Sequence, residues 1–156
     1  MRMLPEKIAL DPISFLKLTR KQNKEILEFI LAEFQVYLPV PAVSSYLITK
    51  IALGKDIEEE LKILREVFNI VETSDDLMKK MAELGGALVQ KGIAPNFSDL
   101  IVVASALLTE SLLVVNDKHV KKYEIFSKYG LDFISYTKFL EEIESFVEEE
   151  ARKVVK

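Results

Sequence analysis

Three aspartates carry the chemistry this chain could do. Asp11 follows the short apolar run Lys7-Ile8-Ala9-Leu10, and Asp117 follows Leu112-Leu113-Val114-Val115-Asn116. Asp99 lies in Asn96-Phe97-Ser98-Asp99-Leu100-Ile101-Val102-Val103-Ala104-Ser105-Ala106, at the mouth of a nearly all-apolar helix. Carboxylates gathered in one place repel one another, and a divalent cation ordinarily holds such a site together. Oxygen ligands alone suit Mg²⁺ or Mn²⁺. The chain has one histidine, His119, and no cysteine, which excludes multi-histidine, zinc–thiolate, disulfide and thiolate-nucleophile chemistry. Each aspartate also has a structural use. Asp11 before Pro12 suits a helix N-cap, Asp117 could cap the helix that follows it, and Asp99 would complement a helix dipole.

The elements that must position these residues read as alternating strands and helices. Lys7 to Leu10 is a strand ending at Asp11, followed by a helix through about Leu18 and a second from about Asn23 to Phe34, with Ile26, Leu27, Ile30 and Leu31 at helical spacing. Val36-Tyr37-Leu38 is strand-like and stops at Pro39. Ala42 to Leu53 is helical and closes at Gly54; Asp56 to Phe68 is a helix with Ile57, Leu61, Leu64 and Val67 or Phe68 on its buried stripe. Asn69-Ile70-Val71 is a short strand, and Asp75 to Lys91 a helix packing through Leu77, Met81, Leu84 and Leu88. Leu112 to Val115 is an unbroken apolar run, the mark of a central parallel strand. A helix over Val120 to Lys128, a last strand over Leu131 to Ile134 and a helix from Thr137 to Val154 complete the chain, the last with Phe139, Ile143, Phe146 or Val147, and Val154 on its packing face. This pattern makes an α/β domain, 1–156, with a small, mostly parallel sheet of four or five strands between helices. Ligands of such a sheet gather outside the carboxyl ends of the strands, where Asp11 and Asp117 fall; strand order alone does not place Asp99 there.

With 49% hydrophobic residues in 156, the chain can bury a sizeable core, and its net charge of −4 argues against a general electrostatic coat for nucleic acid. Local basic clusters remain: Lys17, Arg20, Lys21 and Lys24 after the first strand, and Lys118, His119, Lys121 and Lys122 after the fourth. Both begin near the acidic edge, either to meet phosphates or as solvated helix surface. Tyr46 and Tyr123 could stack on bases or pack on neighbouring helices. Met1 to Lys7 has no apolar core of signal-peptide length and no run reaches membrane-spanning length without charge, so a cytoplasmic protein is expected.

Ile8-Ala9-Leu10-Asp11, the Asn96 to Ala106 helix start and Leu113-Val114-Val115-Asn116-Asp117-Lys118 together resemble the PIN domain, the small nuclease fold of VapC-like toxins, in order and spacing over essentially the whole chain. The resemblance implies a three-layer α/β/α fold with sheet order 3-2-1-4-5, and it brings Asp99 beside Asp11 and Asp117. It implies a Mg²⁺- or Mn²⁺-dependent endoribonuclease with these aspartates as metal-binding and catalytic residues. Asn116 and Lys118 of the matching strand end, with Lys17 and Arg20 of the first basic cluster, are the candidate RNA contacts; the resemblance further implies an antitoxin protein as partner and a homodimer, for which the helices from Ala42 to Phe68 offer surface.

Two departures bear on activity. After its first acid the family continues Asp-Thr-Asn or Asp-Ser, whereas this chain reads Asp11-Pro12-Ile13-Ser14. The family also carries a glutamate in the helix after the second strand, often four residues before a glycine. That register falls on Lys50, or one turn earlier on Tyr46, and no acid occurs between Glu33 and Asp56. Lys50 could ion-pair with Asp11 or Asp99 and replace a metal, or extend into solvent. The alternative function is therefore a PIN-like interaction module that has lost catalysis. A receiver-type phosphoryl-transfer protein would want a paired acid beside the first strand and a late-strand lysine, and neither is clearly supplied.

Overall fold

A computed structural model describes residues 4–155; Met1 to Met3 and Lys156, which open and close the expected 1–156 domain, lie outside the described residues. Five strands form one parallel sheet: β1 (Lys7–Leu10), β2 (Gln35–Pro39), β3 (Asn69–Val71), β4 (Leu112–Val115) and β5 (Phe133–Ser135), in the order β3-β2-β1-β4-β5. The helices between them are α1 (Pro12–Leu18), α2 (Lys24–Glu33), α3 (Val40–Ala52), α4 (Ile57–Val67), α5 (Asp75–Gln90), α6 (Phe97–Thr109), α7 (Val120–Glu124) and α8 (Tyr136–Val155).

Side chains alternate across each strand, so β1 and β4 feed two separate cores. Ile8, Leu10, Leu112 and Val114 face one side, with Phe15 and Leu18 of α1, Ile30 of α2 and Phe139 and Ile143 of α8. Ala9, Leu113 and Val115 face the other, with Leu77, Leu84 and Leu88 of α5, Val103 of α6 and Tyr123 of α7. All four residues of β4 are at most 1% exposed. Burial of each such side chain contributes about 1.5–3 kcal/mol, so the central strands are the most strongly anchored part of the fold. Three layers, a parallel sheet and the 3-2-1-4-5 order are as the resemblance implied.

The strand order fixes where a site can form. The chain winds outward from β1 to β2 and β3, then returns past β1 to build β4 and β5 on the other side. The reversal lies between β1 and β4, and beyond the carboxyl ends of those strands the connections diverge to leave a crevice. Leu10 pairs with Val114, which sets Asp11 and Asn116 at that crevice together.

Several boundaries differ from expectation for local reasons. α3 starts at Val40 rather than Ala42, because Pro41 sits in the first turn, where a helix needs no N–H. The helix expected over Val120 to Lys128 is only α7, followed by a 3₁₀ turn at Ser127–Tyr129 that ends at Gly130 with φ +96°. β5 begins at Phe133, not Leu131, and Leu131 instead joins the α5–α7 core. On α4 only Leu64 and the following Phe68 are buried, leaving Ile57 and Val67 exposed; α8 buries Phe139 and Ile143 and leaves Val147 and Val154 exposed. Phe146 reaches back to Phe29 of α2, with ring centroids 5.6 Å apart. No helix among the described residues is long and apolar enough to cross a membrane.

Candidate active site

Asp11 is the centre of the crevice. Its carboxylate is 1% exposed, and a carboxylate is buried at low cost only when its oxygens are hydrogen-bonded. One oxygen accepts the N–H of Ser14 at 2.8 Å, the N-cap bond the Asp11-Pro12 pair suggested. The other accepts the N–H of Asn116 at 2.9 Å, while the Asp11 N–H donates to the Val114 carbonyl at 3.0 Å. Capping and site geometry are thus one arrangement: the residue that starts α1 also locks β1 to the end of β4.

Asn116 extends the arrangement to the basic side. Its side-chain carbonyl accepts the Lys17 ammonium at 2.8 Å, and that ammonium also stands 5.5 Å from the centroid of the Tyr136 ring. Asn23 ties the same corner down by donating to the Lys17 carbonyl at 2.8 Å. Arg20 is close enough to Tyr136 for its charge to act on that phenol. The structure therefore brings Lys17, Arg20 and Asn116 to one corner of the crevice, whereas Lys118 is exposed without a side-chain partner among the described residues.

Asp117 caps a different helix from the one expected. It accepts the backbone N–H of Thr137 at 3.0 Å and the Thr137 hydroxyl, at the start of α8. Desolvation pushes the Asp117 carboxyl up, but the two Thr137 hydrogen bonds and the Lys17 charge more than offset it and hold it below its ordinary value.

Asp99 comes from the opposite layer. The Asn96 side chain accepts the Asp99 N–H at 3.0 Å, so the expected cap of α6 forms, and six residues of that helix are buried. The Asp99 side chain is 13% exposed and pairs with the Lys122 ammonium at 3.0 Å. Beneath them Tyr123 is 1% exposed. Burial first, then the nearby charges of Asp11 and Asp99, push the Tyr123 hydroxyl well above its ordinary range. The charges of both aspartates therefore act on one buried phenol. Tyr123 is too buried to stack on a base, and Tyr46 is engaged with Phe15, ring centroids 5.2 Å apart. Both tyrosines follow the packing alternative.

Lys50 does not replace a metal. Its ammonium lies 5.2 Å from the Tyr46 ring centroid, and the Tyr46 hydroxyl is 3.5 Å from Glu60 of α4. The ion pair with Asp11 or Asp99, one of the two alternatives for Lys50, is absent among the described residues. A lysine does meet an aspartate in this crevice, but it is Lys122, for which the basic run after β4 offered no particular sign.

All donors to a cation here are oxygens, the chemistry of Mg²⁺ or Mn²⁺. Each Asp11 oxygen accepts a single N–H and keeps a lone pair. Ser14, beside it, has a buried hydroxyl oxygen with no hydrogen-bond partner. The donor set fits a hard cation, yet no three acidic or histidine side chains among the described residues stand close enough to chelate one. Asp99 would have to turn from Lys122, and Asp117 from Thr137.

No family model matches the chain. A VapC ribonuclease of Pyrococcus furiosus is 37% identical over 147 residues, covering 94% of this chain and 97% of the relative. Among solved structures, VapBC-1 of nontypeable Haemophilus influenzae aligns over 84% of this chain and 98% of its own, at 17% identity and TM-score 0.63. VapBC2 of Rickettsia felis, bound to a promoter DNA fragment, aligns over 83% and 98% at 17% identity and TM-score 0.61. A toxin–antitoxin complex of Klebsiella pneumoniae aligns over 83% and 97% at 17% identity and TM-score 0.57. Those structures are too distant in sequence to speak for more than the fold.

Proposed function

The chain belongs to the VapC ribonucleases, and from that premise we propose that Asp11, Asp99 and Asp117 bind a divalent cation, Mg²⁺ or Mn²⁺, and cut RNA at the β1–β4 crevice. A bound divalent ion would supply Lewis-acid stabilisation of charge at the attacked phosphate. The chain's own residues do the rest. Asp11 is the fixed ligand, because Ser14 and Asn116 leave it no freedom to turn. Asp99 and Asp117 are the ligands brought in from α6 and from the end of β4. Lys17, held on the Asn116 carbonyl, and Arg20 offer positive charge to the phosphates, and exposed Lys118 extends that track.

The observation that carries this reading is the Asn116 N–H on Asp11, which joins the two strand ends that the family motifs occupy. The test is cleavage of RNA with Mg²⁺ and Mn²⁺ by the wild type and by Asp99→Asn and Asp117→Asn. Loss of metal-dependent cleavage in the variants supports it; equal activity with and without them overturns it. One observation favours the competing reading, an interaction module without catalysis: α3 brings no acid to the crevice and Asp99 is already neutralised by Lys122. That reading requires the wild type to bind no Mn²⁺ in calorimetry.

A toxin of this kind works with an antitoxin, and we assign this chain such a partner, together with a second copy of itself. Exposed Ile48, Ile51 and Leu53 at the end of α3 and Ile57, Ile63 and Val67 on α4 supply apolar surface for association. A location in the cytoplasm fits an RNA substrate and a chain without cysteine.

A further inference from the structure

We propose that Lys122 is a tethered cation that occupies the Asp99 carboxylate until a divalent ion displaces it; this rests on the metal-dependent reading above. Of the lysines after β4, Lys118 and Lys121 are exposed and unpaired among the described residues, while Lys122 reaches the first turn of α6 and meets Asp99 at 3.0 Å. Its route there is structural. The 3₁₀ turn Asp117–His119 leads directly into the five-residue α7, which buries Tyr123 against the α5–α6 core and so directs its neighbour toward the start of α6. The ammonium also lies 5.3 Å from the centroid of the Tyr123 ring.

This placement answers a difficulty of the site. Asp11 is buried and Asp99 is nearly so, and both lie close enough for their charges to act on one phenol. Without a cation beside Asp99, the like charges of the two carboxylates would oppose the packing of α6 against β1. Lys122 supplies one positive charge from within the chain and keeps the crevice assembled without metal. The same contact handicaps metal binding. Mg²⁺ requires ligand oxygens at about 2.0–2.1 Å, so the ion and the ammonium compete for the Asp99 oxygen that Lys122 holds. A lysine left beside a doubly charged ion also repels it. Lys122 thus sets metal affinity without being a ligand.

The experiment is calorimetric titration of Mn²⁺ into the wild type, Lys122→Met and Lys122→Arg, each checked for native circular dichroism. Lys122→Met is expected to bind Mn²⁺ about tenfold more tightly than the wild type, the scale of one lost competing charge. Lys122→Arg, which keeps the charge, is expected within about twofold of the wild type. The rise in melting temperature on adding Mn²⁺ should also be larger for Lys122→Met. Equal Mn²⁺ affinity in wild type and Lys122→Met overturns the tethered-cation role and leaves the metal-dependent reading standing. Binding of no Mn²⁺ by any of the three overturns both.

Discussion

The backbone N–H of Asn116 donates to the carboxylate of Asp11 at 2.9 Å, joining residues 105 positions apart at the ends of adjacent strands. Since the second Asp11 oxygen caps α1, one side chain serves as helix cap, inter-strand clamp and candidate metal ligand. Replacing it by alanine leaves two buried N–H groups without partners. Loss of the cap, which is the Ser14 bond, costs about 1 kcal/mol, and the stranded Asn116 N–H about 1–3 kcal/mol. Asp11→Ala should therefore lose roughly 2–4 kcal/mol of unfolding free energy, measured by urea denaturation with an unchanged m-value. Asp11→Asn retains one acceptor oxygen, so it should lose less stability than Asp11→Ala while still abolishing metal-dependent cleavage. Equal stability of Asp11→Ala and the wild type would contradict the clamp.

Much of this arrangement could be read before the fold was known. β4 was evident because a four-residue apolar run has no partly exposed strand solution, and all four side chains are indeed buried. The caps at Asp11 and Asn96 were evident because each is a local bond three residues long. What stayed hidden is what depends on how whole elements dock. Lys122 meets Asp99 and Thr137 meets Asp117 only after α7 and α8 have packed, and no periodicity encodes those pairs. Lys50 stands four residues before Gly54, the register of the family's acid, but the helix directs its ammonium onto Tyr46. The partial exposure of α4 and α8 was hidden for the same reason: an apolar stripe states what can be buried, not what the neighbouring layer is long enough to cover.

Lys17 should act on substrate binding more than on turnover. Its ammonium is held at 2.8 Å by the Asn116 carbonyl, at the basic corner of the crevice and outside the aspartate set. Lys17→Met removes one phosphate-facing charge, which should raise KM for RNA about three- to tenfold and flatten the dependence of log Kd on log salt by a slope of about 0.7. A fall in kcat with KM unchanged would instead place Lys17 among the groups that act on the reacting phosphate.

Asp117 gives a pH-dependent contribution of definite sign. Thr137 and Lys17 outweigh desolvation and hold its carboxyl below the ordinary value of 3.8. A carboxyl depressed in the folded state stabilises the fold above its unfolded value and loses that contribution as pH falls through the folded one. The stabilisation is thus complete at neutral pH and disappears below about pH 4. Thr137→Val removes the hydroxyl and leaves the backbone donor, so Asp117 should titrate at higher pH in the variant, followed by carboxyl NMR. The melting temperatures of Thr137→Val and the wild type should converge as pH is lowered from 7 toward 2, the window being set by the ordinary carboxyl range. A gap that stays constant across this range would assign the hydroxyl a role unrelated to Asp117.

Self-association should depend on the end of α3. Ile48 and Leu53 are 68% and 67% exposed, and Ile51 is 48% exposed between them. Large aliphatic side chains so exposed contribute little to the fold of a single copy, since water covers much of their surface. Burial in a dimer would recover about 25 cal/mol per Å² of apolar surface, offset by the cost of immobilising two copies. Charged residues there should therefore leave folding intact and disrupt association. Ile48→Glu with Leu53→Lys is expected to keep the wild-type melting transition within about 0.5 kcal/mol, as ordinary surface substitutions do. Sedimentation equilibrium should then find the wild type dimeric and the double variant monomeric, with Kd raised at least about a hundredfold, because each substitution puts an unpaired charge into an apolar contact. A variant that sediments as the wild type does would move the interface off α3. A wild type that is monomeric at every concentration would mean that these residues face the antitoxin or no partner at all.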